Sequence, residues 1–367
     1  MQPGLLFVVL SVAFTSFDAA LSQQTWKEGI VKSELIFEKA PFSECHASTI
    51  AETSEGLVVA FFGGTQEKNP DVGIWLSRCV SGKWTPPVEV ANGVLADGTR
   101  FPCWNPVLFQ IPGGELLLFY KVGPNPAEWW GMIMRSVDSG RQWSSPERLP
   151  GGILGPIKNK PILLATGALL SPSSTESDGW KVHLELSFDG GHKWGKTPPL
   201  ANLGVFEAIQ PAILELGDGR LQLLCRSKQN CIVTSWSSDS GLTWSRLEST
   251  SLPNPNSGID ALTLRNGLQV LVYNHSRRSE GAWGGPRTPL NVAISEDGKT
   301  WSAVAILEDE PGEFSYPAVI QCRDNLVHVT YTWKRRSIKH VVIDPAPQLR
   351  TLLIGRFHKR LCLRNIH

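Results

Sequence analysis

Ser136-Val-Asp138-Ser-Gly140-Arg-Gln-Trp143 is the most informative stretch of this 367-residue chain, because the same pattern returns three more times. The other copies span residues 187–194, 237–244 and 295–301, and the copy at 295–301 is shorter by one residue. A degenerate copy at 77–84 lacks the aspartate. Each copy separates two alternating apolar runs, as a hairpin turn does. In such a turn Ser and Asp bind the turn backbone, Gly adopts positive φ and Trp packs into the neighbouring layer. Four such turns indicate a repeat architecture.

The spacing of the repeated tryptophans predicts the fold. Trp84, Trp143, Trp194, Trp244 and Trp301 follow one another at intervals of 59, 51, 50 and 57 residues. A four-stranded propeller blade takes roughly 40 to 50 residues, so these intervals suit blades with some long loops. Sets of three apolar strands begin near residues 46, 105, 160, 210, 260 and 316. We therefore predict an all-β, six-bladed β-propeller whose repeated turns are Asp boxes.

The sixth set of strands ends near Ile343 without a fourth strand after it. The early segment Glu34-Leu-Ile-Phe-Glu38, in turn, has no blade of its own. We predict that this segment supplies the missing strand and closes the ring, since closure removes an exposed sheet edge.

The two ends of the chain differ from its middle. The apolar run after Met1 is too short to span a bilayer, and Ala20-Leu21-Ser22 resembles a cleavage site, so residues 1–22 are predicted to be a secretory signal peptide. The propeller is predicted over 23–348 and a basic tail over 349–367. These features predict secretion, or residence in the lumen of the secretory pathway, a lysosome or a vacuole. Asn274-His-Ser276 is a glycosylation sequon that such a route could use.

Composition excludes several classes of partner and cofactor. The net charge is +1, and no basic stripe indicates nucleic acid binding. The seven cysteines show no spacing typical of a zinc site, and we expect neither a metal nor an organic cofactor. Cys225 and Cys231 flank a strand connection and could pair, although burial as small apolar residues suits most of the cysteines better. No transmembrane segment is predicted, and the chain is expected to be a monomer.

Asp boxes on six blades resemble the sialidase superfamily over about residues 35–344. The boxes themselves mark the fold, since they lie on the rim and also occur in propellers without glycosidase activity. The resemblance implies an acid/base Asp, a Tyr nucleophile assisted by a Glu, and arginines that bind a substrate carboxylate. A neutral Tyr can attack beside a carboxylate without charge repulsion, and arginines bind carboxylates in a planar, bidentate manner.

The resemblance assigns roles to particular residues. Asp71 opens the third strand of the first blade, as the acid/base Asp does, and Glu207 begins a strand whose partner ends at Arg226. Tyr316 falls 29 residues after Arg287, where the family places its nucleophile. We thus predict Asp71, Glu207 and Tyr316 as catalytic residues. Taken singly, each of them also suits a turn, packing or ion-pair role.

Several other residues are predicted to bind the substrate: Arg226, Arg287, His46, Arg100 and Trp104. His46 is the departure from the family, because it stands where the first arginine belongs. A charged imidazole could help to hold the carboxylate, whereas a neutral one could accept a proton. Trp104 could stack against a sugar or belong to the core.

The predicted function is that of a sialidase-like exo-glycosidase, which hydrolyses a terminal acidic sugar of a glycan or glycoconjugate. That sugar would be sialic acid or a related keto-acid sugar. Two alternatives remain open. One is a glycosidase or lyase that acts on a rhamnose- or uronic-acid-linked glycan through His46, and the other is a carbohydrate-binding propeller without turnover.

Overall fold

A computed structural model describes residues 29–201 and 204–346 of the chain. The predicted signal peptide at 1–22 and the basic tail at 349–367 lie outside these residues. The described residues form six β-sheets, one for each blade of a β-propeller, so the predicted fold is confirmed. No helix among them is long and apolar enough to cross a membrane.

The blades follow one another along the chain. The first strand, β1 (Ile30–Leu35), belongs to the last blade. Blade 1 contains β2 (Glu44–Thr53), β3 (Gly56–Gly64), β4 (Gly73–Val80), β5 (Lys83–Trp84) and β6 (Val88–Ala91). Blade 2 contains β7 (Cys103–Gln110), β8 (Leu116–Val122), β9 (Trp130–Ser136) and β10 (Glu147–Arg148). Blade 3 contains β11 (Ile162–Leu163), β12 (Leu169–Thr175), β13 (Lys181–Ser187) and β14 (Gly195–Lys196).

The second half of the ring repeats this order. Blade 4 contains β15 (Ala208–Glu215), β16 (Leu221–Ser227), β17 (Cys231–Ser237) and β18 (Glu248–Pro253). Blade 5 contains β19 (Asp260–Thr263), β20 (Gln269–Asn274), β21 (Leu290–Ser295) and β22 (Ser302–Glu308). Blade 6 contains β23 (Phe314–Gln321), β24 (Val327–Trp333) and β25 (Ser337–Ile343).

Strand β1 completes the last blade, as predicted. It pairs antiparallel with β25, with Glu34 opposite His340 and Leu35 opposite Lys339. The strand covers Ile30–Leu35, so the predicted range 34–38 was placed several residues too late. The ring is therefore closed by hydrogen bonds between the two ends of the described chain.

The Asp boxes form the hairpin turns that the repeats predict. In the first, the Ser136 hydroxyl donates to Asp138 (2.8 Å) and accepts from the amide of Gly140 (2.9 Å). Asp138 also accepts from the amide of Gln142 at 2.9 Å. The positive φ of Gly140, 79°, is one that other residues adopt only with strain. The same bonds recur in the boxes around Asp189, Asp239 and Asp297, so each turn satisfies its own backbone.

Apolar clusters between blades hold the ring together. Among the described residues, six clusters each join two neighbouring blades: blades 1 and 2, 2 and 3, 3 and 4, 4 and 5, 5 and 6, and 6 and 1. The last of these packs Phe61 of β3 against Ile338 of β25. Burial of such side chains stabilises the fold by about 1.5 to 3 kcal/mol each. Every blade therefore depends on both of its neighbours.

The structure also shows the surroundings of the sequon and of the cysteines. Asn274 is fully buried, and its amide donates to the carbonyl of Phe314 at 2.9 Å, so this sequon has no room for a glycan in the folded chain. Cys225 and Cys231 do not pair, and all six cysteines of the described residues are free thiols.

The last blade carries a buried histidine pair beside the closing strand β1. Nδ1 of His328 lies 3.0 Å from Nε2 of His340, and Nδ1 of His340 lies 3.1 Å from the Glu34 carboxylate. Burial, and next the charge of His340, lower the pKa of His328 to about 4. Burial also lowers the pKa of His340, although Glu34 opposes this effect.

This pair predicts a loss of stability in acid. The unfolded chain takes up protons on these histidines near pH 6.5 and the folded chain does not, so the unfolding free energy should fall from about pH 6.5 towards pH 4. Each group should contribute up to about 1.4 kcal/mol per pH unit. His328→Phe should flatten this slope in urea unfolding, whereas the exposed control His192→Gln should leave it unchanged. Equal slopes in the wild type and His328→Phe would contradict the account.

Candidate active site

The inner strands of four blades share a backbone feature at the same end. Their pairing with the next strand shifts register at His46/Thr49, Trp104/Val107, Ile209/Ala212 and Ser315/Ala318. One residue within each bulge has a positive φ: Ala47, Asn105, Gln210 and Tyr316, at 57°, 37°, 56° and 52°. A non-glycine residue in this conformation costs of order 1 kcal/mol or more. Proline follows three of the four, so the backbone is bent and stiffened where it meets the axis.

A cavity of about 660 Å³ lies at this end of the axis. Asn105, Gln210 and Tyr316, three of the four bulge residues, line it. All six blades contribute to the wall, which includes Glu44, His46, Glu67, Lys68, Trp104, Trp129, Glu176, Trp180, Arg226, Trp283, Arg287 and Arg335. Charged and aromatic side chains dominate this set. Such a wall suits a polar ligand with a ring and an ionised group.

Tyr316 occupies the centre of the polar contacts. Its hydroxyl oxygen accepts from Nη1 of Arg226 at 2.8 Å and from the amide of Gln210 at 3.4 Å. Its ring centroid lies 4.2 Å from that of His46. The ring also packs against Gly258: a side chain at this position would place its Cβ only 3.2 Å from the ring. Glycine therefore leaves room for the tyrosine ring. Tyr316 is thus held firmly in the cavity wall.

Buried Lys158 supports Tyr316. Its ammonium donates to the carbonyls of Ile259 (2.8 Å) and Pro317, the residue that follows Tyr316, and lies 5.9 Å from the centroid of the tyrosine ring. Burial lowers the pKa of Lys158 to about 7. Lys158 therefore ties the bulge of β23 to blade 5.

Three arginines line the same cavity. Arg226 is fixed by Asn256, which accepts from its Nε at 2.9 Å, and Arg335 is fixed by Glu313 at 2.8 Å and Glu67 at 2.7 Å. Nη1 of Arg287, in contrast, is buried and has no hydrogen-bond partner among the described residues. Burial, and next the charge of Arg226, lower the pKa of Arg287 to about 10. A buried donor without an acceptor is costly, and an anion would satisfy it.

His46 is buried beside these cations. Its Nδ1 lies 2.9 Å from the hydroxyl oxygen of Thr332 and 3.8 Å from the carboxylate of Glu313. Burial, and next the positive charges of Arg335 and Arg287, lower the pKa of His46 well below its ordinary value. The electrostatics favour a neutral imidazole, which agrees with the proton-acceptor alternative and not with a charged partner of a carboxylate.

Three predicted site residues lie outside the lining of the cavity. Asp71 accepts from the amide and hydroxyl of Thr65, at 2.8 and 2.9 Å, and so caps its own loop. Glu207 is about half exposed and pairs with Lys228 at 2.6 Å. Arg100 donates to the backbone carbonyl of Asp71 at 3.0 Å. The expected contact between Glu207 and the Tyr316 hydroxyl is therefore absent, because the hydroxyl bonds to Arg226 and Gln210 instead.

The remaining predicted residues, His46, Trp104, Arg226, Arg287 and Tyr316, do share the cavity. The sequence analysis missed Glu67, Glu176 and Arg335. Glu67 belongs to the same loop as Asp71, four residues earlier, and Arg335 belongs to the basic run at the turn between β24 and β25. The basic run was the sequence signal from which Arg335 could have been predicted as a cavity residue, because it lies in the blade that closes the ring. Burial raises the pKa of Glu176, although Arg226 and Trp180 oppose this effect.

Two tryptophan pairs flank the cavity. Trp104 and Trp129 meet edge to face at 5.9 Å, and the Trp104 indole donates to the carbonyl of Gly123 at 2.8 Å. Trp180 and Trp283 meet at 5.4 Å, with the Trp283 side chain 63% exposed. Trp104 is 2% exposed, so its main role is packing, whereas Trp283 offers a free aromatic surface at the rim.

The charges around His46 predict that its imidazole stays uncharged down to well below pH 6.5. NMR of the histidine rings, with the His46→Gln variant to assign the signal, should show a neutral ring across about pH 5.5 to 8. The nearest charged groups are Glu313, Arg226, Arg287, Arg335 and Lys158. A His46 signal that titrates at or above pH 6.5 would show that the arginines do not set its charge.

Comparisons with known proteins agree with this architecture. Residues 55–329 match the family described as the BNR repeat-like domain. No curated protein sequence matches the chain.

Solved structures similar to this chain include three with different origins. A protein of unknown function from Dyadobacter fermentans has a TM-score of 0.71 at 18% identity, covering 86% of this chain and 98% of its own. The NanB sialidase from Streptococcus pneumoniae has a TM-score of 0.66 at 13% identity, covering 86% and 71%. The intramolecular trans-sialidase from Ruminococcus gnavus has a TM-score of 0.68 at 12% identity, covering 87% and 98%. These likenesses, all at 18% identity or lower, confirm the predicted fold.

Proposed function

The chain belongs to the BNR repeat-like domain family, and we propose that it is a glycosidase-like enzyme that cleaves a terminal acidic sugar from a glycan. The sugar would enter the axial cavity with its carboxylate towards Arg226, Arg287 and Arg335. The glycosidic bond would then lie near Tyr316. Secretion, or residence in a lumen of the secretory pathway, remains part of this proposal and rests on residues 1–22.

One observation carries the proposal: Nη1 of Arg287 is buried without a partner. Arg226 and Arg335 already donate hydrogen bonds to protein acceptors, which hold these two side chains in place without a ligand. Arg287 lines the same cavity as these two cations, and no described residue accepts a hydrogen bond from its Nη1, so a ligand that binds this guanidinium does not have to replace a protein acceptor there. A carboxylate matches a guanidinium in shape and charge, and the bidentate pair is the strong form of this bond.

Hydrolysis of a keto-acid sugar by the route that the sialidase resemblance implies would need Tyr316 as nucleophile and a carboxyl group of the wall as acid. In that route Tyr316 attacks the anomeric carbon, the leaving oxygen takes a proton from the acid, and water releases the sugar. Glu176 suits the acid, because burial favours its protonated form. Glu44 and Glu67 are the other carboxyl groups of the wall, and Arg335 holds Glu67 as a carboxylate partner.

A panel of acidic glycosides tests the proposal. Sialosides, ketodeoxyoctonate glycosides and rhamnosyl-glucuronides should be incubated with the full chain, with a reducing-sugar assay for turnover and calorimetry for binding. Turnover of at least one class supports the enzyme. Binding without turnover would indicate the carbohydrate-binding propeller instead. Absence of both would contradict the proposal.

Arg287→Met separates function from stability. The variant removes a buried charge that has no protein partner, so its melting temperature in the absence of ligand should be unchanged or higher. Binding of acidic sugars should weaken by about tenfold or more, since a charged hydrogen bond of about 1.5 to 3 kcal/mol is lost. Arg148→Met is the matched control, because Arg148 lies outside the cavity lining, on β10.

Thermal unfolding with and without an acidic sugar measures both effects at once. The sugar should raise the melting temperature of the wild type and of Arg148→Met but not that of Arg287→Met. A variant that unfolds earlier and still binds the sugar would show that Arg287 is a structural residue.

A further inference from the structure

The phenol of Tyr316 has the wrong neighbours for a nucleophile. A nucleophilic tyrosine needs a base that removes its proton. No carboxylate among the described residues is hydrogen-bonded to this hydroxyl, and its oxygen instead accepts from Arg226 and Gln210. Two donors on the oxygen leave the phenol proton free to be given away, and Arg226 stabilises the phenolate that remains. The group is therefore arranged as a proton donor.

His46 is arranged as the complementary acceptor. Its Nδ1 faces the Thr332 oxygen, which already accepts from the amide of Ala47 at 3.2 Å, and the negative carboxylate of Glu313 lies beyond at 3.8 Å. The Thr332 hydroxyl can donate or accept, whereas the carboxylate of Glu313 favours a proton on Nδ1. Nε2 then carries the lone pair, and no described residue is hydrogen-bonded to it. The imidazole lines the cavity and lies against the ring of Tyr316. Burial, and next the charge of Arg335, lower its pKa and so favour the neutral form.

A base and an acid such as His46 and Tyr316 can remove a proton from carbon only if positive charge stabilises the anion that forms, and the arginines supply this charge. A proton on the carbon next to a carboxylate leaves easily only when the negative charge that develops on the carboxylate is neutralised. Arg226, Arg287 and Arg335 line the same cavity as His46 and Tyr316. The carboxylate also offsets the positive charges that depress proton binding by His46, so the imidazole becomes a better base when the substrate is bound.

We infer that the substrate is a uronic acid substituted at O4, and that the cavity cleaves it by β-elimination with His46 as base and Tyr316 as acid. This inference rests on the proposed function, because it needs the carboxylate bound by the arginines. It replaces hydrolysis at the anomeric carbon of a terminal acidic sugar by elimination at C4 of an acidic sugar that carries another sugar on O4.

The reaction balances without any further reactant. Nε2 of His46 removes the proton from C5, the electron pair of that bond forms a double bond between C4 and C5, and the bond from C4 to the leaving oxygen breaks. Tyr316 gives its proton to that oxygen, which leaves as a free sugar. The imidazolium then loses its proton to water, and the phenolate takes one up.

Product analysis of the wild-type chain tests the inference directly. A rhamnosyl-glucuronide should be cleaved in water enriched in ¹⁸O, with the products analysed by mass spectrometry and ultraviolet absorbance. Elimination gives an unsaturated uronate one water molecule lighter than the saturated acid, with no ¹⁸O incorporated during cleavage. Hydrolysis gives two saturated sugars, one of which carries ¹⁸O.

Variants test the assigned roles. His46→Gln keeps a side chain that can reach Thr332 but cannot take the proton, and Tyr316→Phe removes only the hydroxyl. Each should lower kcat by about a hundredfold or more, while binding of free glucuronate stays within a few-fold of the wild type. His192→Gln, in an exposed Asp-box turn, is the matched control and should retain full turnover.

These experiments distinguish failure of the elimination mechanism from failure of the proposed function. Saturated products that carry ¹⁸O, or glucuronate binding without any cleavage of the uronide, would overturn the elimination and leave carboxylate binding intact. Full turnover in a folded His46→Gln variant would also overturn it. Failure of every acidic sugar to bind the wild type would overturn the proposed function itself.

Discussion

Closure of the ring is the constraint on which the rest of the structure depends. Each blade buries an apolar surface against both neighbours, and the cluster between blades 6 and 1 includes Ile36 and Phe37, which directly follow β1. The axial cavity draws residues from all six blades, so its geometry is fixed only when the ring is closed. Pairing of β1 with β25 therefore governs both the stability of the fold and the shape of the site.

The cavity concentrates features that work against stability. Non-glycine residues with positive φ, a buried lysine and a buried arginine donor without a partner all lie at one end of the axis. The inter-blade clusters and the self-satisfied Asp-box turns offset these costs elsewhere. Such a distribution is expected where a binding site is organised before its ligand arrives, because strained and uncompensated groups collect at functional sites.

The fold could be predicted from the sequence because its signals are local. Ser, Asp, Gly and Trp at fixed offsets define a turn through bonds within a few residues, and their spacing gives the number of blades. Tyr316 and His46 could be placed because inner strands carry side chains towards the axis. Arg226 could be placed because it lies near the end of the strand that pairs with an inner strand, opposite Ile209. Asp71 and Glu207 could not, because each lies in or beside a loop where one local partner, Thr65 or Lys228, decides the direction of its side chain. Arg335 lies at a turn, and only the closed ring brings it to the cavity.

The most direct measurement of the central claim is a crystal structure of the chain with a bound sugar acid such as glucuronate. The account predicts the carboxylate between Arg226, Arg287 and Arg335, with one oxygen about 2.7 to 2.9 Å from a guanidinium nitrogen of Arg287. It also predicts that the sugar ring lies beside His46 and Tyr316. A sugar bound elsewhere on the propeller, or in the cavity with its carboxylate turned away from Arg287, would contradict the account.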